Sequence, residues 1–88
     1  MIYSLMRLED GVGDSGPMCK VIDFETRTEV LPSRPRIGCI VRVGSPYARS
    51  YQAQDFWQTS PVTKIIEDTP EKVIFETLRS TYIWTCLE

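Results

Sequence analysis

The sequence contains no histidine among its 88 residues. Histidine is the commonest general base near neutral pH and a frequent zinc ligand, and it activates the nucleophile in serine–histidine and cysteine–histidine pairs. Catalysis would have to use carboxylates, lysines or a metal bound by oxygen atoms, and the spacing indicates neither paired carboxylates nor an activated thiol. The sequence therefore predicts a protein that is not an enzyme and that holds no metal or cofactor.

Cysteine is scarce as well, and its count is odd. Cys19, Cys39 and Cys86 stand 20 and 47 positions apart, which fits neither a disulfide framework nor a CxxC metal-binding knuckle. Cys39 lies in an apolar run that predicts burial, and a buried thiol is unreactive. We therefore expect reduced and mostly buried cysteines.

Long apolar runs are also missing. The sequence has no stretch of 18 apolar residues, and its amino terminus lacks the basic and then apolar order of a secretion signal. We therefore expect a cytoplasmic protein without a membrane partner.

Proline and glycine, by contrast, are spread along the chain. Six prolines and five glycines divide it into short pieces, and the longest piece without either, residues 71–88, is rich in β-branched and aromatic residues. Such pieces favour strands over helices. Because 88 residues leave room for one hydrophobic core, the sequence predicts a single, mainly β domain.

Alternation of apolar and polar residues predicts the individual strands. The strongest pattern covers residues 37–43, with a bend at Gly38, and further strands are expected over residues 60–68, 73–77 and 81–87. The last of these has bulky residues on both faces, so we expect it to be covered on both sides.

The first 17 residues are predicted to lie outside the compact domain. Residues 10–17 hold three glycines and one proline, too little apolar surface to order themselves. We expect a flexible N-terminal arm and linker over 1–17 and a compact domain over 18–88. The apolar-rich run at residues 2–8 fits either a mobile arm or a strand added to the sheet.

The middle of the chain is basic between two acidic flanks. Residues 1–26 carry two cations and five anions, residues 27–64 six cations and two anions, and residues 65–88 two cations and five anions. Two interpretations stay open: neighbouring strands of opposite charge attract each other, or a basic patch faces an acidic partner.

A loop in the basic segment is the candidate contact surface. Residues 44–57 interleave aromatic, arginine and glutamine side chains and are too long for a tight hairpin turn, so an Ω-like loop or a helical turn is expected. Rigid aromatic side chains beside arginine dominate interface hot spots. The predicted partner-binding residues are Tyr47, Arg49, Tyr51, Gln54, Arg42 and Arg36.

Two resemblances add to these predictions. Arg36, Gly38, Val41, Val43 and Gly44 form the pattern R-x-G-x-x-V-x-V-G, which resembles the opening strand and turn of small SH3-like barrels of the KOW type. It implies a partly open antiparallel barrel, here with a long loop after its first core strand, and contacts to nucleic acid. The segment WQTSPV, followed by a hairpin ending in STYIW, resembles small proteins of phages and other mobile elements, which would act in the host cytoplasm.

These observations support two hypotheses of function. The first is a protein-binding module, an accessory or inhibitor protein of a mobile element. The alternative is a single-stranded nucleic-acid binder that stacks bases on Tyr47, Tyr51 or Trp57 and holds phosphates with arginines, among them Arg34 and Arg36. The net charge of −2 weighs against the alternative. The thin predicted core also leaves a homodimer open.

Overall fold

The computed structural model describes residues 2–45 and 55–87, which form eight β-strands and no helix. The strands are β1 (Ile2–Arg7), β2 (Gly13–Gly16), β3 (Met18–Asp23), β4 (Cys39–Ser45), β5 (Asp55–Gln58), β6 (Val62–Asp68), β7 (Lys72–Thr77) and β8 (Thr81–Leu87). The prediction of a mainly β protein is confirmed, and the last predicted strand matches β8 residue for residue.

The strands form two antiparallel sheets. The larger sheet has the order β2-β1-β8-β7-β6, and the smaller sheet has the order β3-β4-β5. Tight turns join the last three strands. The Thr69 N–H bonds to the Lys72 carbonyl in the turn between β6 and β7, and the Thr77 N–H bonds to the Ser80 carbonyl in the turn between β7 and β8. The two sheets pack face to face as an open sandwich and do not close into a barrel.

The chain passes between the sheets at two corners. At the first, β2 runs into β3 through Pro17, and Gly16 lies so close to the carbonyl of Gly44 that a Cβ atom would collide with it. At the second, β5 runs into β6 through Thr59 to Pro61, where the Thr59 N–H donates to the Val41 carbonyl at 2.9 Å. The buried Thr59 hydroxyl accepts from the Val41 N–H at 3.1 Å, replacing a carbonyl where the strand leaves the smaller sheet.

Gly38 marks the bend predicted before the central strand. Its φ of 86° is a conformation open to glycine and costly for other residues. Its N–H donates to the carbonyl of Val62 at 2.9 Å, which ties the start of β4 in the smaller sheet to β6 in the larger one.

Trp84 lies at the centre of the core between the sheets and is 1% exposed. Its indole N–H donates to the Cys19 sulfur at 3.4 Å. The one polar group of this large buried side chain therefore has a hydrogen-bond partner on the smaller sheet. The other fully buried side chains are Phe75, Leu5, Val21, Val41, Val43, Val62 and Val73.

The apolar run near the N-terminus, for which a mobile arm and a strand added to the sheet were both open, forms a strand of the larger sheet. β1 lies between β2 and β8 in the larger sheet, paired with β8 from Ile2 opposite Leu87 to Arg7 opposite Tyr82. Leu5 is 1% exposed in the core. The glycines that suggested a linker instead allow β2 to lie close against β1, since a Cβ on Gly13 would collide with the Leu5 carbonyl.

Candidate partner-binding surface on the β4–β5 hairpin

The two ends of the predicted contact loop, residues 44–57, lie in strands, since β4 extends to Ser45 and β5 begins at Asp55. β4 and β5 are antiparallel, and their last paired residues are Ser45 and Asp55. Residues 46–54 therefore join two adjacent strands of the smaller sheet. Four of the six predicted site residues, Tyr47, Arg49, Tyr51 and Gln54, lie in this connection, outside the described residues, and their roles stay predictions.

Arg42 lies on the outer face of this hairpin, held by two neighbours on β5. Its Nε and Nη2 atoms both donate to the Gln58 side-chain oxygen, at 3.0 and 2.8 Å. Its guanidinium carbon lies 4.6 Å from the centre of the Phe56 ring, a cation–π distance. Gln58 is the direct cross-strand partner of Arg42, and Phe56 lies two residues away on the same face.

A second cation lies beside Arg42. Lys20 on β3 is its cross-strand partner on the other side, and cross-strand Cβ atoms are about 5 Å apart. Two like charges placed opposite each other destabilise a sheet. Among the side chains that the structure describes, which do not include that of Asp55, the salt bridges are Arg7–Asp10, Arg34–Asp68 and Lys72–Glu67. None of these involves Lys20 or Arg42.

Lys20, Arg42, Phe56 and Gln58 together form what we call the hairpin surface. The Arg42 guanidinium has five N–H donors in a planar fork, and Gln58 accepts from two of its nitrogen atoms. The Nη1 edge makes no hydrogen bond to a described residue. A guanidinium held on a ring and beside an ammonium group is suited to bind a carboxylate or phosphate with little loss of side-chain entropy.

Arg36 lies away from the hairpin surface, and its role in partner binding stays a prediction. Its Nη2 atom donates to the carbonyls of Leu31 and Pro32 at 2.9 and 3.4 Å, so the side chain braces the proline-rich connector. Its carbonyl accepts from the Cys39 N–H, at the opposite end of β4 from the hairpin loop. At about 3.3 Å per residue, the two ends of β4 are about 20 Å apart.

Arg34 and Trp57, which the nucleic-acid hypothesis needs at the surface, are engaged within the fold. Arg34 donates to the Asp68 carboxylate at 2.6 Å and to the carbonyls of Thr69 and Pro70, and its guanidinium lies 5.2 Å from the centre of the Trp84 ring. Trp57 packs against the core, with the Arg7 guanidinium 5.3 Å from its ring centre. Both side chains therefore already have partners within the fold.

The cysteines lie where unreactive thiols were expected. Cys19 and Cys39 are buried, Cys86 is partly buried, and all three are free thiols. Burial raises the pKa of the Cys19 thiol to about 11, against a smaller lowering by the hydrogen bond from Trp84. Burial also raises the pKa of Cys39. Both groups are therefore protonated at neutral pH and poor nucleophiles.

Three residues of the hairpin surface were not among the predicted partner-binding residues. Lys20, Phe56 and Gln58 flank Arg42 only because β3 and β5 pair with β4 in one particular register. Alternation within each strand indicates which residues share a face, but a shift of one residue would exchange the faces. The sequence carries no signal for the register, so it could not bring these side chains together.

The described residues hold no group of three or more metal-ligating side chains. In that part of the chain there is also no helix long and apolar enough to cross a membrane. No protein-family model matches the chain, and no curated protein or solved structure does so either.

Proposed function

We propose that the chain is a non-enzymatic protein-binding module that contacts its partner through the β4–β5 hairpin. The contact comprises the hairpin surface and the loop residues Tyr47, Arg49, Tyr51 and Gln54. The resemblance to mobile-element proteins suggests an accessory or inhibitor role in the host cytoplasm. We also propose that the scaffold is related to small SH3-like barrels.

The observation that carries this proposal is the like-charge pair of Lys20 and Arg42. A pair of cations facing each other across two strands lowers the stability of a sheet, and a bound anion would reduce this cost. Phe56 and Gln58 hold the guanidinium in one orientation, so part of the ordering that binding requires is already present in the free chain.

The chemistry of the surface indicates an acidic partner. Arginine binds carboxylates through two parallel N–H bonds, and its flat face packs on aromatic rings. The loop adds two tyrosines and a further arginine, the residue types that dominate protein–protein hot spots. We therefore expect an Asp- or Glu-bearing protein segment to lie across β4 and β5.

A capture experiment with charge-removing variants tests the proposal. The wild-type chain, an Arg42→Gln and Lys20→Gln double variant, and an Arg49→Ala and Tyr51→Ala double variant are immobilised, and bound host proteins are cross-linked and identified. We expect one or a few proteins to bind the wild type and to be lost from both double variants. Lys64→Gln, which removes a lysine from the larger sheet, is the matched control and should retain them. Identical partners on all four chains would contradict the proposal.

A salt titration separates this function from nucleic-acid binding. With Arg34 and Trp57 engaged in the fold, we expect no measurable binding to single-stranded oligonucleotides at low salt. A nucleic-acid binder would bind there and lose affinity steeply as salt increases. Such a loss, abolished by Arg42→Gln, would favour the alternative over the protein-binding module.

A further inference from the structure

The outer face of the larger sheet carries a row of apolar side chains across its three central strands. Met6 on β1 is the cross-strand partner of Ile83 on β8, which in turn is the partner of Ile74 on β7. Met6 is 39% exposed, and Ile83 and Ile74 are partly exposed. We call these three residues the apolar row.

Charges of opposite sign lie on the two sides of the apolar row. On β7, Lys72 and Glu76 are each two residues from Ile74, so both face the same way as Ile74. On β8 the corresponding neighbours are uncharged, since Lys72 pairs with Thr85 and Glu76 pairs with Thr81. Along β7 the order is therefore cation, apolar residue, anion, and Lys64 of β6 lies beside Glu76.

We propose that a second copy of this chain docks on this face, with a two-fold axis lying along the apolar row. A rotation of 180° about that axis reverses the direction of each strand and places the apolar row of one copy over the apolar row of the other. Ile83 then faces the partner's Ile83, and Lys72 faces the partner's Glu76. The reciprocal pair forms on the other side, so the face is complementary to itself, as a two-fold interface requires.

The salt bridge already present on β7 is compatible with this arrangement. Lys72 Nζ lies 2.9 Å from the Glu67 carboxylate of its own chain, and an ammonium group has three donors. One ammonium can therefore contact Glu67 and the partner's Glu76 together. The Lys72 side chain is 39% exposed, so its remaining donors can be reached by solvent or by a partner.

The rim of the face offers a further match. The Leu8 N–H bonds to the Thr81 carbonyl, and Thr81 is the cross-strand partner of Glu76. Leu8 therefore lies level with Glu76 along the strand direction. The two-fold axis then places Leu8 opposite the partner's Ser4. In each chain Ser4 lines a depression of about 270 Å³ with Met6, Gly11 and Gly13. The exposed Leu8 side chain is the apolar group available to fill it.

The same arrangement accounts for the two bulky faces of β8. Its inner face, with Tyr82 and Trp84, is buried against the smaller sheet, whereas its outer face carries Ile83 and Leu87, the latter 57% exposed. Three strands at about 4.8 Å spacing, over about five residues of about 3.3 Å each, give a face of roughly 240 Å². A standard interface buries about 800 Å² per partner, so we expect a weak dimer.

Sedimentation equilibrium over a range of chain concentrations up to about 1 mM tests the association. We expect the wild type to dimerise with a dissociation constant on the order of 100 μM. Ile83→Glu should weaken the dimer at least about 10-fold, because the change acts twice at the two-fold axis. Leu31→Glu, which places the same charge at a residue 74% exposed in the connector after β3, should leave it unchanged. A wild type that stays monomeric throughout would overturn the proposal.

Mixing two charge variants tests the orientation, and it does not depend on Ile83→Glu being folded. Lys72→Glu alone makes both β7 positions beside the row anionic, and Glu76→Lys alone makes both cationic. In either homodimer like charges on β7 would then face each other, so each variant should repel itself. A mixture of the two should form a heterodimer more readily than either forms a homodimer, by about 10-fold. A mixture that associates no better than its components would show that this face, or this axis, is not the one used.

Discussion

The outer faces of the two sheets differ in how their charges are arranged. On the larger sheet, Lys64 is the cross-strand partner of Glu76 and Lys72 forms a salt bridge with Glu67, so cations and anions alternate around apolar side chains. On the smaller sheet, Lys20 lies beside Arg42. The larger sheet thus pairs strands of opposite charge, whereas an acidic partner for the smaller sheet stays a proposal. The proposed dimer face carries charges of both signs, whereas no carboxylate among the described side chains forms a salt bridge with the cation pair of the smaller sheet.

The comparison depends on the core that holds both faces, and Trp84→Ala would remove that core. Loss of a buried tryptophan costs about 3–5 kcal/mol, a large part of the roughly 5–15 kcal/mol by which a domain is stable. We expect the variant to be largely unfolded or to melt far below the wild type, measured by circular dichroism. Trp84→Phe should lose less, and equal losses for both would contradict the central role of the indole.

Arg34→Ala should break the tie between the connector and the larger sheet while leaving the hairpin surface intact. The residue makes three hydrogen bonds at the β6–β7 turn and covers Trp84, so we expect a loss of about 1–3 kcal/mol in urea unfolding.

Asp68→Asn is the matched control for Arg34→Ala. It removes only the exposed ion pair, which is worth about 0–1 kcal/mol. If Asp68→Asn cost as much as Arg34→Ala, the ion pair and not the backbone contacts would be the stabilising element.

Alkaline pH should weaken the packing of the two sheets through Cys19. Because the pKa of the folded thiol is raised to about 11, above its value of about 8.5 in an unfolded chain, the neutral thiol favours folding. That contribution is complete below the unfolded pKa and is lost as pH rises from about 9 to 11.

Urea unfolding of wild type and Cys19→Ala across this pH range measures the effect. The variant should show a flatter decline, although the raised pKa of Tyr3 leaves a residual slope in both chains. Parallel declines would show that Cys19 does not contribute.

The smallest effect on stability is expected at the hairpin surface itself. Arg42 and Gln58 are not part of the core, and removal of Arg42 also relieves its repulsion with Lys20, so Arg42→Gln should change the free energy of unfolding by about 0.5 kcal/mol or less. Thermal melting measures this. A loss above about 2 kcal/mol would show that Arg42 serves the fold and would weaken the case for a contact role.

The strands could be predicted from local patterns where the pattern and the environment agree. β7 and β8 alternate apolar residues without glycine or proline, and their bounds were predicted to within one residue. β2 could not be predicted, because Gly13–Gly16 has no apolar side chain and is ordered only by pairing with β1. The engagement of Arg34 and Arg36 also escaped prediction, since their acceptors are backbone carbonyls of turns and connectors.

The sequence by itself determined the strand-rich class, the last two strands and the burial of Cys19 and Cys39, because side-chain alternation, turn residues and apolar runs act over a few neighbouring positions. Only the tertiary structure decided which strands are neighbours, and with them the pairing of Lys20 with Arg42 and the apolar row on the larger sheet. These depend on register between distant segments, which backbone hydrogen bonds and the packing of Trp84 establish together and no short stretch of sequence specifies.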